Sequence, residues 1–329
     1  MKYKTNHKKF SVKGRGEYMT KAEFICEYYT NIDKCREFFF NAKWPTGYYC
    51  EKCGCTHYYY IKSRGYYRCA KCHHDETILA HTIFQDNKMP LNKLLYGIFL
   101  VFSDKRGVSC EELSEELKVN YKTACLLHTK CQILMRNSNL DKTLDSSFYE
   151  SDVAYIGAPG EGKRGLGTTK QACLVILSTS TENQYPQYVK LKEIEKDNSD
   201  SIESIFQKSV KMSEDRLLNT DGKTTYNCLK KYMKVRIEKI DYDQENHRLW
   251  FLNILVSNLN KMLLGVFHGI DKRMLPLYFA EYEWRFNHRN TKNILDKINK
   301  YIRSSFIARK KDIQTAMDAY ALQRGLALA

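Results

Sequence analysis

Residues 50–72 read CEKCGCTHYYYIKSRGYYRCAKC and contain two CxxC pairs. Each pair places two thiolates on one tight turn, and the segment between the pairs supplies two short strands around a turn at residues 63–65. Two such turns complete a four-thiolate site, which selects zinc over hard cations and, with all four positions filled, is structural. We therefore predict a zinc ribbon over residues 45–78, ligated by Cys50, Cys53, Cys69 and Cys72. Cys55 is the rival thiol, and a redox CxxC is the alternative.

The remaining cysteines show no pairing pattern, so we interpret them as reduced thiols in a reducing compartment. They are Cys26, Cys35, Cys55, Cys110, Cys125, Cys131, Cys173 and Cys228. No run of 18 or more apolar residues is present, and we expect neither a membrane span nor a membrane partner. The expected location is intracellular: the cytoplasm or nucleoid of a prokaryote, or the nucleus of a eukaryote.

Positive charge is concentrated towards the two ends of the chain. The net charge is +15 and the pI about 9.1. Residues 1–75 hold 15 Lys and Arg against seven Asp and Glu, and residues 285–311 hold nine against one. Flanks of this kind suit a protein that neutralises phosphates around a less charged centre, because each neutralised phosphate releases counterions. Charge alone is equally compatible with a well-solvated surface.

A helical segment over residues 88–138 follows the ribbon. It begins with an apolar helix, Leu91–Gly107, which we expect to end at the glycine. A short helix capped by Ser109 is followed, after a tight turn, by a second amphipathic helix. This pattern predicts a helix-turn-helix whose second helix enters the major groove, and an ordinary helical hairpin is the alternative. The residues at the entering end would be Asn120, Tyr121, Lys122 and Thr123.

Residues 145–290 alternate β-rich and helical runs, which indicates a mixed α/β domain. Asp152 lies in a predicted strand, on the same face as Glu150, and Asp221 ends a second apolar strand. A carboxylate at the end of a buried strand is costly unless it binds something, and the two aspartates could hold Mg²⁺ together. The alternative for Asp221 and the glycine after it is a simple turn.

A long apolar helix near residue 250 carries a thin polar stripe. Its members fall at i, i+4, i+7 and i+8 and share one face: Asn253, Ser257, Asn260 and Lys261. A solvated stripe is the alternative. Outside these segments, residues 1–44 form an arm and a short helix capped by Thr20, and residues 291–329 a basic helical tail. The predicted fold class is thus multidomain α/β.

Several short motifs occur in one order along the chain. They are the CxxC…CxxC ribbon, KTA at Lys122–Ala124, ESD…YIG around Asp152, NTDG around Asp221, GVFHG at Gly265–Gly269 and EYEWRFNHR at Glu281–Arg289. In this order they resemble the ISXO-like group of DDE-type insertion-sequence transposases, which is related to eukaryotic Merlin elements. Several motifs in one order are more specific than any one of them. The chain departs from the usual pattern at Val153, Val256 and Asn260.

The resemblance implies a ribonuclease-H-like catalytic domain over residues 145–290. Asp152 and Asp221 would be the first two metal ligands, and Asn253 occupies the family's third position, as in part of this group. Two Mg²⁺ or Mn²⁺ ions would activate water and then a 3′-hydroxyl for attack on phosphodiesters. By charge alone, further phosphate contacts are expected at Lys261, His268, Arg285 and Arg289.

The function implied is a transposase that binds terminal inverted repeats of a mobile element, cleaves the strands and transfers them. Its partners would be double-stranded DNA at the element ends and the target, and a homodimer or larger assembly would join two ends. One alternative is a catalytically decayed or domesticated copy that binds DNA without cutting. Another is a zinc-ribbon transcription factor with an unrelated C-terminal domain.

Overall fold

The computed structural model describes residues 18–140, 142–156, 171–181, 184–241, 247–267 and 270–323. Within them the chain is mixed α/β, as predicted, with a small three-stranded sheet, a five-stranded sheet and helices around both. None of the helices formed by these residues combines the length and apolar character needed to cross a bilayer.

The N-terminal part begins with α1 (Lys21–Phe24), a π-helical turn (Ile25–Tyr29) and α2 (Ile32–Lys43). The predicted cap is present, because the Thr20 hydroxyl accepts from the Glu23 amide at 3.2 Å and the Glu23 carboxylate accepts from the Thr20 amide at 2.7 Å. The ribbon sheet follows, made of β1 (Tyr58–Ile61), β2 (Tyr66–Cys69) and β3 (Asp75–Glu76), antiparallel in that order.

The helical module consists of α3 (Leu91–Ser103), α4 (Cys110–Leu117) and α5 (Tyr121–Leu140). The Ser109 hydroxyl caps α4 by accepting from the Glu112 amide at 3.1 Å, as predicted. The predicted end of the first helix at Gly107 is wrong: α3 ends at Ser103, because the backbone of Asp104 is extended. The reversal between α4 and α5 occurs at Lys118, whose backbone is left-handed with φ 49°.

The five-stranded sheet contains β4 (Phe148–Ile156), β5 (Gln171–Thr179), β6 (Tyr188–Glu193), β7 (Leu217–Thr220) and β8 (Lys234–Ile237). The strand order is β6-β5-β4-β7-β8. The pairs β6–β5 and β5–β4 are antiparallel, whereas β4–β7 and β7–β8 are parallel. Among the strands of the described residues, β4 has its parallel partner in β7, the strand that leads to Asp221.

Helices cover both faces of this sheet. On one face, α6 (Ser199–Ser209) and a 3₁₀ helix (Thr224–Lys231) pack on Tyr149, Val153 and Leu218. On the other, α7 (Trp250–Gly265) and α8 (Leu275–Asn287) cover the alternate residues of β5. Successive residues of a strand point to opposite faces. Asp152 and Ala154 therefore lie on the face covered by α7.

The predicted basic tail contains α9 (Ile294–Arg303) and α10 (Lys310–Gln323) among the described residues. The apolar face of α9 is buried: Leu295, Ile298 and Ile302 join the hydrophobic cluster of the N-terminal helices. A helix with apolar residues at such spacing buries that face against neighbouring helices. The first half of the tail is thus part of the N-terminal core.

A buried polar network links α5, α8 and the end of α3. Glu281 of α8 accepts from the Gln132 amide at 2.8 Å and pairs with Arg285, whose guanidinium also donates to the Val101 carbonyl at 2.7 Å. Burial acts to raise the pKa of Glu281, but Arg285 and His128 outweigh it and lower that pKa to about 2. The carboxylate is therefore charged, and it fixes the helical module to the mixed α/β module.

Candidate functional site

The structure brings the four predicted zinc ligands together. All four sulfur atoms lie within 4.8 Å of one another. The Cys50–Cys72 and Cys53–Cys69 sulfur distances are 3.6 and 3.5 Å. Tetrahedral zinc–thiolate geometry needs sulfur separations of about 3.8 Å, so the donor set fits zinc with a small adjustment.

Two tight turns make this arrangement possible. Gly54 has φ +73° and His73 has φ +59°, and both residues donate their backbone N–H to the first cysteine of their own pair. The backbone N–H of Cys72 is the main cause that lowers the pKa of Cys69 to about 6, which favours the thiolate that zinc requires. Cys55, the rival thiol, lies outside the four-sulfur group, and its sulfur accepts from the His57 amide at 3.5 Å.

A second group of possible ligands, missed in the sequence, lies beside the ribbon: Glu51, Glu76 and His81. Its centre is already occupied by a cation, because the Lys43 ammonium pairs with the buried Glu76 carboxylate. The same ammonium donates to the Thr77 carbonyl at 3.0 Å. This group is therefore an ion-pair cluster that holds α2 against the ribbon.

The register of the five-stranded sheet places Asp152 and Asp221 side by side. Ser151 of β4 pairs with Thr220 of β7, and each aspartate is the next residue along these parallel strands. Paired residues of parallel strands share a face, so both carboxylates belong to the face covered by α7. The two carboxylates are close enough to interact, because the negative charge of Asp221 raises the pKa of Asp152.

The Asp152 carboxylate is in a partly buried, electrostatically unfavourable position. Its side chain is 19% exposed. Burial is the main cause that raises its pKa, and Asp221 adds to it, while Lys223 and the Val153 amide act in the opposite direction. Two neighbouring carboxylates with this surplus of negative charge fit a divalent cation with oxygen ligands.

Lys223 and Asp197 also belong to this site and were missed in the sequence. The Lys223 ammonium lies 3.4 Å from Asp152 and 3.2 Å from Asp197, whose side chain is only 6% exposed. Lys223 follows the NTDG motif by one residue, which is a signal that sequence analysis could have used. Asp197 comes from the loop before α6, and its approach depends on the tertiary fold. The lysine thus balances part of the charge of the carboxylates.

The third predicted ligand, Asn253, lies in the first turns of α7, the helix that packs over β4. Its amide nitrogen is 3.3 Å from the His247 ring. Among the described His, Cys, Asp and Glu side chains, none completes with Asp152 and Asp221 a group of three ligand atoms within 4.8 Å. Within the part of the chain that the structure describes, an asparagine amide oxygen is the kind of donor left for a third protein ligand.

The polar stripe predicted on α7 forms one continuous surface. Its members line a single open cleft: Asn253, Ser257, Asn260 and Lys261. The opposite side of the helix is apolar, since Leu252, Leu255 and Leu259 are buried against the sheet. The stripe therefore leads from Asn253, on the helix that packs over β4, to the exposed Lys261.

The entering end of the predicted recognition helix is accessible. Asn120, Tyr121, Lys122 and Thr123 are all exposed, and the Asn120 side chain accepts from the Lys122 amide at 2.9 Å. From Ala124 onwards the helix is largely buried against its neighbours. Its N-terminal turn, which is the part that a helix-turn-helix uses, is therefore free to contact a ligand.

The structure does not support Arg285 as a phosphate contact. Arg285 is buried, and its guanidinium is held by Glu281 and by backbone carbonyls at the end of α3. Arg289 donates to the carbonyls of Pro186, Gln187 and Phe286, so most of its donors are also occupied. Lys261 is exposed, and His268 lies outside the described residues.

Comparison with known families matches both modules. Residues 31–75 match the transposase zinc-ribbon domain, and residues 146–287 match the ISXO2-like transposase domain. Together the two matches cover more than half of the chain. The first corresponds to the ribbon and the second to the five-stranded sheet with its helices. They define the class as a zinc-ribbon transposase. Residues 146–287 are thus assigned to the ISXO2-like transposase domain family.

Two individual proteins are also similar. An uncharacterized transposase-like protein of Haemophilus influenzae is 29% identical over 101 residues, which is 30% of this chain and 80% of that protein. The crystal structure of a pre-cleavage Mos1 transpososome has a TM-score of 0.23 and 12% identity, and covers 61% of this chain and 75% of that chain.

Proposed function

We propose that the mixed α/β module is a ribonuclease-H-like nuclease of the DDE type, with Asp152, Asp221 and Asn253 as its metal ligands. One observation carries the proposal: the β4–β7 register sets the two aspartates side by side on the face covered by the helix that bears Asn253. The strand order, with three antiparallel strands extended by two parallel ones, supports the fold assignment.

Bound Mg²⁺ or Mn²⁺ ions would supply an activated water or 3′-hydroxyl and stabilise the leaving oxygen. The chain's own residues contribute in different ways. Asp152 and Asp221 provide charged oxygen ligands, and Asn253 a neutral amide oxygen that holds an ion more weakly. Lys223, beside Asp152, limits the negative charge of the site when it is free of metal.

The proposed substrate is double-stranded DNA at the terminal inverted repeats of a mobile element, and the proposed reaction is strand cleavage followed by strand transfer. The exposed start of α5, with Lys122 and Thr123, would read the element end, assisted by the zinc ribbon. Since two ends must be joined, we propose a homodimer or larger assembly on DNA.

The test is nicking of a duplex that carries the element end and its flanking DNA, in Mg²⁺ or Mn²⁺, by wild type and by Asp221→Ala. Loss of one ligand should lower the rate by about three orders of magnitude, because a ligated ion supplies several kcal/mol of transition-state stabilisation. Asp200→Ala removes an exposed carboxylate from α6 and should cut like wild type.

Metal-independent nicking, or equal rates for Asp221→Ala and wild type, would refute the catalytic assignment. Specific binding of the element end by a wild-type protein that never cuts it would instead favour the second candidate, a decayed or domesticated DNA-binding copy. That candidate draws on the uncharged Asn253 and on the Val153 departure from the family pattern.

A further inference from the structure

A cleft of about 410 Å³ lies where the loop after α3 meets α7 and α8. Its cationic lining residues are Lys105, Arg106, Lys261, Arg285 and Arg289, and none of the described residues that line it is acidic. Arg285 and Arg289 are occupied by protein acceptors, as described above. The cations that remain available to a ligand come from the loop, Lys105 and Arg106, and from α7, Lys261.

These three side chains can bind an anion, although the Lys105 ammonium also lies over the Tyr18 ring, 5.7 Å from its centroid. All three are exposed, and the Arg106 side chain is 82% exposed. Among the described residues, neither lysine has a carboxylate within 4.0 Å, and Arg106 has a weak partner in Asp104 at 3.7 Å. An exposed ion pair of this length contributes little, so it does not compete strongly with a phosphate.

The loop that carries Lys105 and Arg106 is held firmly on the rest of the protein. The Asp104 side chain accepts from the Arg106 amide at 2.9 Å, and Arg285 donates to the Asp104 carbonyl. Gly107 has φ +94°, and a Cβ there would meet the Phe267 ring at 3.1 Å, so the chain turns tightly against the residues after α7. The two cations therefore have a fixed position relative to α7.

The cleft is joined to the candidate catalytic surface. Lys261 lines both this cleft and the open cleft that contains Asn253. Eight residues of helix separate Asn253 from Lys261, which corresponds to about 12 Å along the axis. For a duplex that lies along α7, in which successive phosphates of one strand advance about 3.4 Å along the axis, this distance corresponds to three to four nucleotides.

We infer that this cleft is a DNA-backbone grip, in which Lys105 and Arg106 from the helical module and Lys261 from α7 bind phosphates three to four nucleotides from the scissile bond. The inference rests on the proposed function for the position of that bond. It adds two residues, Lys105 and Arg106, that neither the motifs nor the predicted recognition helix includes. Through this grip, one stretch of DNA would contact both the helical module and the mixed α/β module.

The first experiment measures the affinity for a short duplex as a function of salt concentration. Lys105→Ala/Arg106→Ala should lower the slope of log affinity against log salt by about 2, because two phosphate contacts are lost. Lys208→Ala/Lys230→Ala removes the same number of charges from exposed sites on the helices that cover the opposite face of the five-stranded sheet, and is the matched control. An unchanged slope, or an equal loss in the control, overturns the inference. Thermal unfolding of each variant checks that the loop still folds.

The second experiment places p-benzoylphenylalanine at Arg106 or Lys261 in the Asp221→Ala background and maps the cross-linked nucleotides. Both positions should cross-link to the same few nucleotides, about three to four from the bond that wild type nicks. Cross-links to separate regions, or from a control position at Lys208 to the same nucleotides, overturn it. If Asp221→Ala itself cuts like wild type, the catalytic proposal fails, while a shared cross-link would leave the grip standing.

Discussion

The two metal sites of this chain are assembled in opposite ways. The zinc site draws its four ligands from residues 50–72, on two turns that close within a few residues. The candidate catalytic site draws on residues 152, 221 and 253, and each lies on a different element. The first is complete in the fold, with four sulfur atoms in one group. The second has two adjacent carboxylates, a lysine between two aspartates and an amide that contacts a histidine.

The difference shows what each site depends on. A closed thiolate site stabilises the small ribbon sheet, and its ligands are fixed by local turns. The carboxylate site depends on a strand register set by a sheet that folds whether or not a metal is present. Loss of a zinc ligand should therefore unfold the ribbon. Loss of a carboxylate ligand should abolish metal-dependent activity and leave the sheet folded. The predictions below test this contrast.

The largest effect is expected at the zinc site. Cys69→Ser should abolish stoichiometric zinc binding and unfold the ribbon, because the metal contributes roughly 10–16 kcal/mol of apparent binding energy to such modules. Zinc content by elemental analysis and the NMR spectrum of the ribbon measure the two consequences. Cys55→Ser is the matched control and should keep its zinc. Loss of zinc in both variants would mean that the rival thiol is a ligand.

The next effect concerns the network that joins the two modules. Glu281→Ala should destabilise the protein by about 3–5 kcal/mol, because it leaves the buried Arg285 charge without its partner. Urea unfolding measures the change in the free energy of unfolding. Glu115→Ala, an exposed residue of α4, should change it by less than about 0.5 kcal/mol. Glu281→Leu/Arg285→Met should recover much of the loss, and a loss below 1 kcal/mol for the single change would contradict the role of the network.

The contrast also explains what the sequence could predict. The zinc ligands, the Thr20 and Ser109 caps and the stripe on α7 are encoded within one turn or one helix, and the structure places all of them as expected. The predicted transposase family is confirmed by both domain matches. The metal roles of Asp152, Asp221 and Asn253 stay predictions.

What failed depends on distant residues. Arg285 was judged by its charge, but its partners are at the end of α3, and only tertiary packing buries it. The end of α3 was placed at Gly107, whereas an extended Asp104 stops the helix earlier. Asp197 reaches Lys223 from a loop that no motif marks. For Arg285 and Asp197 the partner lies far away in sequence, where periodicity and motif spacing give no information.

A smaller effect is expected where α8 meets α9. The buried His288 ring donates to the Trp284 carbonyl at 2.9 Å and accepts from the Tyr301 hydroxyl at 3.2 Å. Burial is the main cause that lowers its pKa to about 4, and Lys142 and Lys297 add to it. Below the usual histidine pKa the unfolded chain takes up a proton that the folded chain refuses. Stability is therefore fully present above about pH 6.5 and falls as pH drops towards 4.

The loss over that range should be roughly 3 kcal/mol, from a shift of about 2.5 pH units. His288→Gln cannot take up the proton, so its free energy of unfolding should depend less on pH between 7 and 5. Urea unfolding of both proteins at several pH values measures the difference, which should shrink as pH falls. Parallel curves for wild type and variant would show that His288 does not carry the dependence.

The smallest effect is expected from a substitution that tests the carboxylate site directly. It restores a negative charge at position 253, where this chain has a neutral asparagine. Asn253→Asp replaces a neutral amide oxygen by a charged ligand and should tighten Mn²⁺ binding about tenfold, or about 1.4 kcal/mol. Calorimetric titration of the DNA-free protein with Mn²⁺ measures this gain in affinity.

Asn258→Asp is the matched control. It adds the same charge to the same helix, five residues after Asn253 and outside the stripe, and should leave the affinity nearly unchanged. A gain of equal size in both variants would reduce the effect to general electrostatic attraction. A gain confined to Asn253→Asp would show that this side chain lies at the ion. That result is expected if the zinc site is complete in the fold, whereas the carboxylate site still needs a bound cation.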